Sequence, residues 1–530
     1  MMLMTAGCNA KPDILEPVIT LSEALEISRT EATIECNINR RGSSSLSYIT
    51  LIYQEKGNLS EMESNAEHIS DRLLFRLSGL KPGTSYSCYI KAGTETATLK
   101  SNAITFTTIP NNPPKVSGVT PLSTGPLGII VKFNIIDLGG EDILSAGCEI
   151  KQTESMECQR VYATDIDTQP SEIRITISGL TPSTTYNITP FASNSLGESQ
   201  GGTLEYTTKE SVILSEPGML ALLFANDNTE SMESITIAGQ MNGDDFRTLR
   251  TFLGAPSETQ VRSIISDIDL TDVSIVEGGG SFDGHRFTEN NRLSTGLFSD
   301  CTRLRHALLP NSATVMDRDA LARCPALERF TVPAGLEALL PSTDCPVLNA
   351  IEVSKANDHF SSIEGVLFNH DATEIIWFPC AKTGEYTLPS TITAIGENAF
   401  TGTSITTLTV PSSVTSISRG AFSGSPITEI RLPDRLANLS EATFQNCTSL
   451  IYVYLGYGTR YIGNFAFDGT PIRDLYLAAE TPPFTMEDAF SNGESTIFEQ
   501  CILHIPYGCK DRYTKHQQWG SFLKIEEFKP

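Results

Sequence analysis

Six side chains in the C-terminal half are the best candidates for recognition chemistry. Each lies in a strand-like segment of the Leu-x-Val type, where alternation should turn the middle residue, and the residue two before it, away from the core. Tyr, Trp and Arg are enriched at binding hot spots, although tyrosines also stabilise β-sheets by packing across strands. The candidates for a ligand-binding face are Trp377, Arg431, Tyr452, Tyr454, Tyr476 and His504.

Residues suited to catalysis do not form a recognisable set. The seven histidines are scattered, and the sequence has no G-x-S-x-G, H-E-x-x-H, P-loop or dinucleotide-binding motif. Paired acids such as Asp165 and Asp167 are typical of solvated faces. The sequence therefore predicts a protein without enzymatic activity and without a cofactor or metal.

The elements that must position the candidates recur every 22 or 23 residues. Each copy has an anchor phenylalanine and then a short apolar strand, as in Leu408-Thr409-Val410-Pro411. A fixed period of this size predicts a solenoid of leucine-rich type, whose coils must stack because one coil cannot bury its own apolar side. The clearest anchors are Phe400, Phe422, Phe444, Phe467 and Phe490.

The solenoid should extend from 210 to 530, with an N-terminal cap over 210–290 and a C-terminal cap over 507–530. In the first cap we predict a strand at 234–239 and a short helix at 244–250, which has an acidic first turn. In the second cap we predict a helix that passes through Tyr513 and Trp519 and ends near Ile525. Both caps would cover the open ends of a shared core.

Two copies of another module precede the repeats, at 13–109 and 113–208. The first contains Leu80-Lys81-Pro82-Gly83-Thr84-Ser85-Tyr86, and the second contains Leu180-Thr181-Pro182-Ser183-Thr184-Thr185-Tyr186. This motif resembles the tyrosine corner of fibronectin type III domains, which implies two immunoglobulin-like β-sandwiches. A proline-rich linker at 110–114 should be stiff. The fold class is therefore mostly β, with two sandwiches followed by a leucine-rich-repeat solenoid.

The cysteines allow several interpretations. Cys36 and Cys88 occupy positions where immunoglobulin domains form a disulfide, but fibronectin type III domains usually lack it, so a bridge and two buried thiols both stay open. Cys148 and Cys158 could close a hairpin. Four others precede repeat strands at sites that elsewhere hold Ser or Thr, which is typical of small buried turn positions: Cys301, Cys324, Cys345 and Cys447.

The N-terminal segment, residues 1–12, indicates an export signal. Thr5-Ala6-Gly7-Cys8 resembles a bacterial lipobox, in which the cysteine becomes lipidated. Only seven residues precede Cys8, fewer than a full signal peptide needs, so we expect the true start upstream. This predicts a lipoprotein of the outer membrane, anchored at Cys8 and exposed on the cell surface.

The repeats also resemble the BspA-like leucine-rich repeats of Bacteroidota surface proteins. The closest segments are Ile363-Glu364-Gly365-Val366-Leu367-Phe368-Asn369 and the stretch 386–396, followed by Ala399-Phe400. The resemblance covers about 290–525, and it implies a cell-surface binding protein, with adhesion known for some members. It implies no catalytic residue.

The net charge of -25 limits the partners. So acidic a chain should repel nucleic acid and anionic membranes, which leaves the lipid as the only membrane contact. The expected ligand is an extracellular protein or glycan. The first hypothesis is adhesion to a host or microbial macromolecule. The alternatives are glycan capture for carbohydrate uptake, with Trp377 and the tyrosines stacked on sugar rings, and a purely structural spacer.

Overall fold

The computed structural model describes residues 16–39, 44–66, 70–153, 157–164, 166, 172–224, 229, 232–257, 262–490 and 497–530. Cys8 lies outside the described residues, as do Asp165 and Asp167. The described residues belong to two compact units. One unit falls within Met1–Thr120, Lys132–Ile175 and Asn187–Glu205, and the other within Pro121–Val131, Thr176–Tyr186 and Tyr206–Pro530.

The first module is a β-sandwich, with nine strands among its described residues. One sheet contains β1, β2, β3 and β6, and the other contains β4, β5, β7, β8 and β9. Alternating residues of β3 and β7 are buried because each strand turns one face toward the shared core. The strands are β1 Val18–Leu21, β2 Glu26–Ile27, β3 Ala32–Asn39, β4 Leu46–Glu55, β5 Met62–Asn65, β6 Arg72–Leu77, β7 Ser85–Thr94, β8 Thr98–Lys100 and β9 Ile104–Thr107.

The described part of the second module also contains nine strands. In one of its sheets the strand order is β14-β13-β16-β17. The strands are β10 Lys115–Val116, β11 Thr120–Thr124, β12 Gly128–Asp137, β13 Ser145–Gln152, β14 Cys158–Tyr162, β15 Glu172–Ser178, β16 Thr185–Asn194, β17 Gly197–Gln200 and β18 Leu204–Thr207.

Both modules contain the tyrosine corner that the repeated motif predicts. The Tyr86 hydroxyl accepts a hydrogen bond from the Lys81 backbone N–H at 2.9 Å, and the Tyr186 hydroxyl accepts one from Thr181 at 3.0 Å. Each tyrosine is buried, so the phenol satisfies a turn N–H that water cannot reach. The same five-residue spacing in both modules gives them the same local geometry.

Of the two interpretations left open for Cys36 and Cys88, the structure has the buried thiols, and it does not have the possible bridge between Cys148 and Cys158. Cys36 on β3 and Cys88 on β7 are free thiols with no exposed surface. Burial raises the pKa of Cys36 to about 11 and that of Cys88 to about 12, which suppresses the thiolate that disulfide exchange requires. On the next hairpin Cys158 pairs with Lys151, three positions from Cys148, and an odd offset places the two thiols on opposite faces of the sheet.

The solenoid begins with a cap that matches the predicted elements. Its elements are β19 Val212–Leu214, α1 Leu220–Leu223, β20 Ser234–Met241, α2 Gly243–Phe252 and β21 Asp267–Ile275. Helix α2 starts at a capping box, in which the Asn242 and Asp245 side chains each accept a hydrogen bond from the other residue's backbone N–H. Strand β11 pairs with β19, and Leu122 and Ile130 join the solenoid core. Part of the second module is therefore built into the cap.

Beyond the cap, most coils contribute a longer strand to one face and a two-residue strand to another; the exception is the segment 360–377, whose three four-residue strands pair antiparallel. The longer strands form two parallel ladders, β19-β20-β21-β23-β25-β27 and β31-β33-β35-β37-β39-β41-β42. The elements are β22 Arg292–Leu293, β23 His306–Leu308, β24 Val315–Met316, β25 Arg329–Val332, β26 Ala338–Leu339, β27 Ala350–Val353, β28 Phe360–Ile363, β29 Val366–Asn369, β30 Glu374–Trp377, β31 Thr383–Thr387, β32 Ala394–Ile395, β33 Ser404–Thr409, β34 Ser416–Ile417, β35 Glu429–Arg431, β36 Asn438–Leu439, β37 Tyr452–Leu455, β38 Tyr461–Ile462, β39 Asp474–Leu477, β40 Phe484–Thr485, α3 Ile497–Gln500, β41 Ile502–Pro506, α4 Lys510–Thr514 and β42 Lys524–Phe528.

The anchor phenylalanines form one continuous stack inside the second ladder. Successive rings from Phe378 to Phe490 lie nearly parallel, with centroids 5.0 to 5.6 Å apart. All are buried, because each coil places its ring directly over the ring of the previous coil. The stack explains the period in the sequence, since every coil must supply a ring at the same depth.

The buried turn positions form a second column. Thr403 and Thr470 donate their hydroxyl protons to the anchor carbonyls of Phe400 and Phe467, at 3.0 and 2.6 Å. The Cys447 thiol donates to the Phe422 carbonyl of the preceding coil at 3.0 Å. A small donor is therefore required at this site, which explains why Cys, Ser and Thr alternate there.

The C-terminal cap differs from the predicted helix. Helix α4 ends at Thr514, a 3-10 turn covers Trp519–Ser521, and β42 then pairs in parallel with β41. Ile525 lies in that strand rather than in a helix. The open edge of β41 is the reason: its backbone groups need partners, and a sheet strand supplies them where a helix cannot.

Candidate ligand-binding face

The outer side of the second ladder brings five of the six candidates together. Parallel pairing aligns Arg431 with Tyr454, Tyr454 with Tyr476, and Tyr476 with His504, while Tyr452 lies in the neighbouring row between Glu429 and Asp474. Their strand neighbours Val453, Leu455, Leu475 and Leu477 are buried. Strand alternation therefore places the rings outward as predicted. We call Arg431, Tyr452, Tyr454, Tyr476 and His504 the tyrosine patch.

The rings of the tyrosine patch pack against one another. The Tyr476 centroid lies 5.2 Å from that of Tyr452, 6.4 Å from that of Tyr454 and 4.0 Å from that of His504. These spacings follow from the distance of about 4.8 Å between neighbouring strands. Burial raises the pKa of Tyr452, and the nearby Arg431 guanidinium opposes that rise. The contacts between the rings hold the patch in one arrangement.

His504 is held between two carboxylates. Its Nε2 lies 2.9 Å from Asp474 and its Nδ1 lies 3.9 Å from Glu526, so acids on both neighbouring coils face the imidazole. The residue is only 8% exposed. His504 therefore orients the end of the patch and offers a ligand little contact area.

Arg431 covers Tyr454. Its guanidinium carbon lies 3.6 Å from the Tyr454 ring centroid, which leaves Tyr454 only 6% exposed. A cation over a ring face is attracted by the ring quadrupole. Tyr454 thus points outward as predicted but acts as a platform beneath the arginine, and a ligand would meet the guanidinium first.

A groove of about 940 Å³ runs beside this pair, over strands β33, β35 and β37. It is lined by Arg431, Tyr452 and Tyr454 of the patch and by three residues that sequence reasoning missed: Asp434, Arg435 and Tyr457. Tyr457 is 61% exposed, and its backbone N–H donates to Asp434. These three lie in turns, where a strand pattern gives no signal.

Trp377 is not a surface residue, so its placement in the ligand-binding face is wrong. It is 2% exposed and packs against Phe330 with ring centroids 5.4 Å apart. Ile375 and Trp377 both face inward, and β30 pairs with β32 in the sheet of short strands. Strand β30 belongs to the sheet β28-β29-β30-β32-β34 and not to the outer ladder, and Trp377 lies on the buried side of that strand.

Nothing in the described residues resembles a metal or membrane-spanning site. Among them, no three His, Cys, Asp or Glu side chains are grouped so that they could hold a metal ion. The helices of that part of the chain are all too short or too polar to cross a membrane.

The C-terminal part of the chain is therefore a β-solenoid of stacked coils with a long outer ladder of parallel strands. Residues 286–369 and 374–501 match, in six copies, the family model of the BspA type leucine rich repeat region. The match identifies the repeat region, and repeat proteins of this kind suggest a binding or adhesion role. The comparison with curated proteins found no match.

Several solved structures are similar over part of the chain. A leucine rich cell surface protein from Faecalibacterium prausnitzii is 19% identical with a TM-score of 0.36, covering 60% of this chain and 83% of that one. The pneumococcal vaccine antigen PcpA is 16% identical with a TM-score of 0.37, covering 61% and 87%. A two-domain fibronectin type III segment of chicken tenascin is 17% identical with a TM-score of 0.20, covering 35% and 97%.

Proposed function

We propose that this chain is a non-enzymatic adhesion lipoprotein of the cell outer membrane, and that the groove beside the tyrosine patch binds an extracellular macromolecule. The observation that carries the proposal is the groove itself, which crosses three coils and combines an exposed aromatic ring with two guanidiniums. Such side chains supply most of the energy at binding hot spots. The flat, open ladder suits a macromolecule better than a small substrate.

A protein ligand is favoured over a neutral glycan. Sugar rings need an open aromatic face, but Trp377 is in the core and the Tyr454 ring is covered by Arg431. Tyr457 alone presents a largely exposed ring in the groove. Glycan capture therefore serves as the competing outcome in the experiment below.

The binding test uses the full chain against a panel of extracellular matrix proteins and a glycan array. Tyr457→Ser should weaken binding at least about tenfold, a loss of about 1.4 kcal/mol, because the exposed ring supplies contact area. Its melting temperature should not change, because Tyr457 is 61% exposed. Tyr507→Ser is the matched control, since Tyr507 is 75% exposed and lies outside the groove.

If Tyr457→Ser and Tyr507→Ser weaken binding equally, or if neither weakens it, the groove is not the binding site. Binding confined to the glycan array would replace adhesion to a protein by glycan capture. Tyr454→Ala is unsuitable for this purpose, because its ring packs beneath Arg431 and beside Tyr476, so its loss would disturb the ladder as well.

The proposed lipid anchor at Cys8 is tested in a separate experiment. With an upstream signal segment restored, the protein should incorporate labelled fatty acid and partition into membranes, and Cys8→Ser should abolish both, because the thiol is the acylation site. Cys158→Ser is the control, since Cys158 is an exposed thiol of the second module. If the Cys8→Ser variant still incorporates labelled fatty acid, or if the unmutated protein is secreted in soluble form, the proposed anchor at Cys8 is wrong.

A further inference from the structure

Several arginines of the solenoid are paired with acids of neighbouring coils, unlike the two arginines of the groove. Arg292, Arg305 and Arg323 each pair with a carboxylate, Asp317, Glu328 and Asp300 respectively. In each case the acid comes from an adjacent coil, about one strand spacing away. Acids of adjacent coils are thus within reach of arginines on this solenoid.

Arg431 and Arg435 have no such partner. Within the described part of the chain, neither guanidinium makes a hydrogen bond or an ion pair. The chain contains 63 acidic and 38 basic side chains, so carboxylate partners are plentiful. Parallel pairing places Tyr454 beside Arg431 on the next strand, and a tyrosine offers its ring rather than a charge.

The contact with Tyr454 orients the free guanidinium. At 3.6 Å from the ring centroid, the cation is held over the face of a ring that is itself fixed by Tyr476. A ring partner uses the face of the guanidinium and leaves its N–H edges free. Those edges form a planar fork that matches the two oxygens of a carboxylate. Less side-chain entropy is lost on binding, because the fork is already positioned.

Other charged side chains in the groove restrict the chemical class of the partner. Glu429 and Asp434 also line it, within a few residues of the two arginines. A polyanion with a charge on every unit, such as a uronate or sulfated glycan, would bring anions against both carboxylates. A polypeptide can present one acidic side chain to the arginines and neutral or basic side chains to the acids.

We propose that Arg431, held on Tyr454 and assisted by Arg435, binds the carboxylate of a Glu or Asp side chain in an extended polypeptide whose neighbouring side chains are neutral or basic. This assignment rests on the proposed function, because it gives the chemical class of the ligand for the same groove. It makes Arg431 the residue that determines specificity and Tyr454 the residue that positions it.

The test uses the full chain and an array of synthetic dodecapeptides in matched pairs that differ by a single Glu→Gln change, with heparin and polygalacturonate as polyanion probes. The wild-type protein should prefer the Glu member of its bound pairs by at least about tenfold, as expected for a charge-assisted bidentate contact. Arg431→Ala should abolish that preference. Arg431→Lys should recover only part of it, because lysine keeps the charge without the planar fork.

Arg419→Ala is the matched control, since Arg419 is exposed and pairs with Glu441 outside the groove. It should bind like the wild type, and thermal melting should show that all three variants are folded. Equal binding of Glu and Gln peptides, a preference that survives Arg431→Ala, binding to heparin or polygalacturonate alone, or no peptide binding at all would overturn the assignment. Tyr457-dependent binding to the macromolecule panel without Glu selectivity would refute this inference and leave the proposed function standing, whereas binding that does not depend on Tyr457 would refute the proposed function.

Discussion

Replacing Phe422 by alanine should lower the free energy of unfolding of the solenoid by about 3–5 kcal/mol. Phe422 has no exposed surface and lies between Phe400 and Phe444, with both ring centroids 5.1 Å away. The change would leave a cavity in the middle of the stack and remove both ring contacts. Neighbouring coils share one core, so the loss should spread to them.

Denaturant unfolding measures the loss, and hydrogen exchange in β33 and β37 measures its spread. Phe287→Ala is the control, because Phe287 is 61% exposed and such a surface change should stay within about 0.5 kcal/mol. A loss below about 1 kcal/mol for Phe422→Ala would show that the ring is not part of the core.

Trp519→Ala, in the C-terminal cap, should also lower the free energy of unfolding of the solenoid by about 3–5 kcal/mol. The indole has no exposed surface, and its Nε1–H donates to the Pro483 carbonyl at 2.8 Å. Its ring lies 5.7 Å from Phe490, the last ring of the phenylalanine stack. Alanine would open the end of the core and leave the Pro483 carbonyl without its partner.

Two variants make this second prediction specific. Trp519→Phe keeps a ring but loses the hydrogen bond, so it should lower the free energy of unfolding by less than Trp519→Ala does. Leu523 belongs to the same cap and is 75% exposed, so Leu523→Ala should leave the free energy of unfolding nearly unchanged. Hydrogen exchange should accelerate first in β41 and β39 for Trp519→Ala. Uniform acceleration along the whole solenoid would mean that the tryptophan does not act as a cap.

Binding on the outer ladder is compatible with these stability effects because the two faces of a strand are independent. Val453 and Leu455 point into the core while Tyr452 lies outside, half-buried within the patch. Tyr457 and Arg431 can therefore be changed without opening the core. Tyr454 is the exception, since its ring is outside the core yet covered by its neighbours.

The sequence by itself determined the features that depend on local repetition. The period of 22 or 23 residues predicted stacked coils, because rings of the same type at the same interval can share one core. Alternation predicted that Arg431, Tyr454, Tyr476 and His504 share one outward row, since side chains of a strand alternate faces. The motif ending in Tyr86 predicted a corner whose hydrogen bond spans only five residues.

The tertiary structure alone decided the features that depend on contacts between distant or irregular segments. Trp377 lies in the core because its strand joined the sheet β28-β29-β30-β32-β34 instead of the outer ladder, and Ile525 joined β42 because the edge of β41 required a partner. No local pattern indicated that Arg431 would cover Tyr454, or that the turns carrying Arg435 and Tyr457 would complete a groove. Repetition fixes the direction of a side chain, whereas its exposure depends on neighbours that only the stacked coils bring together.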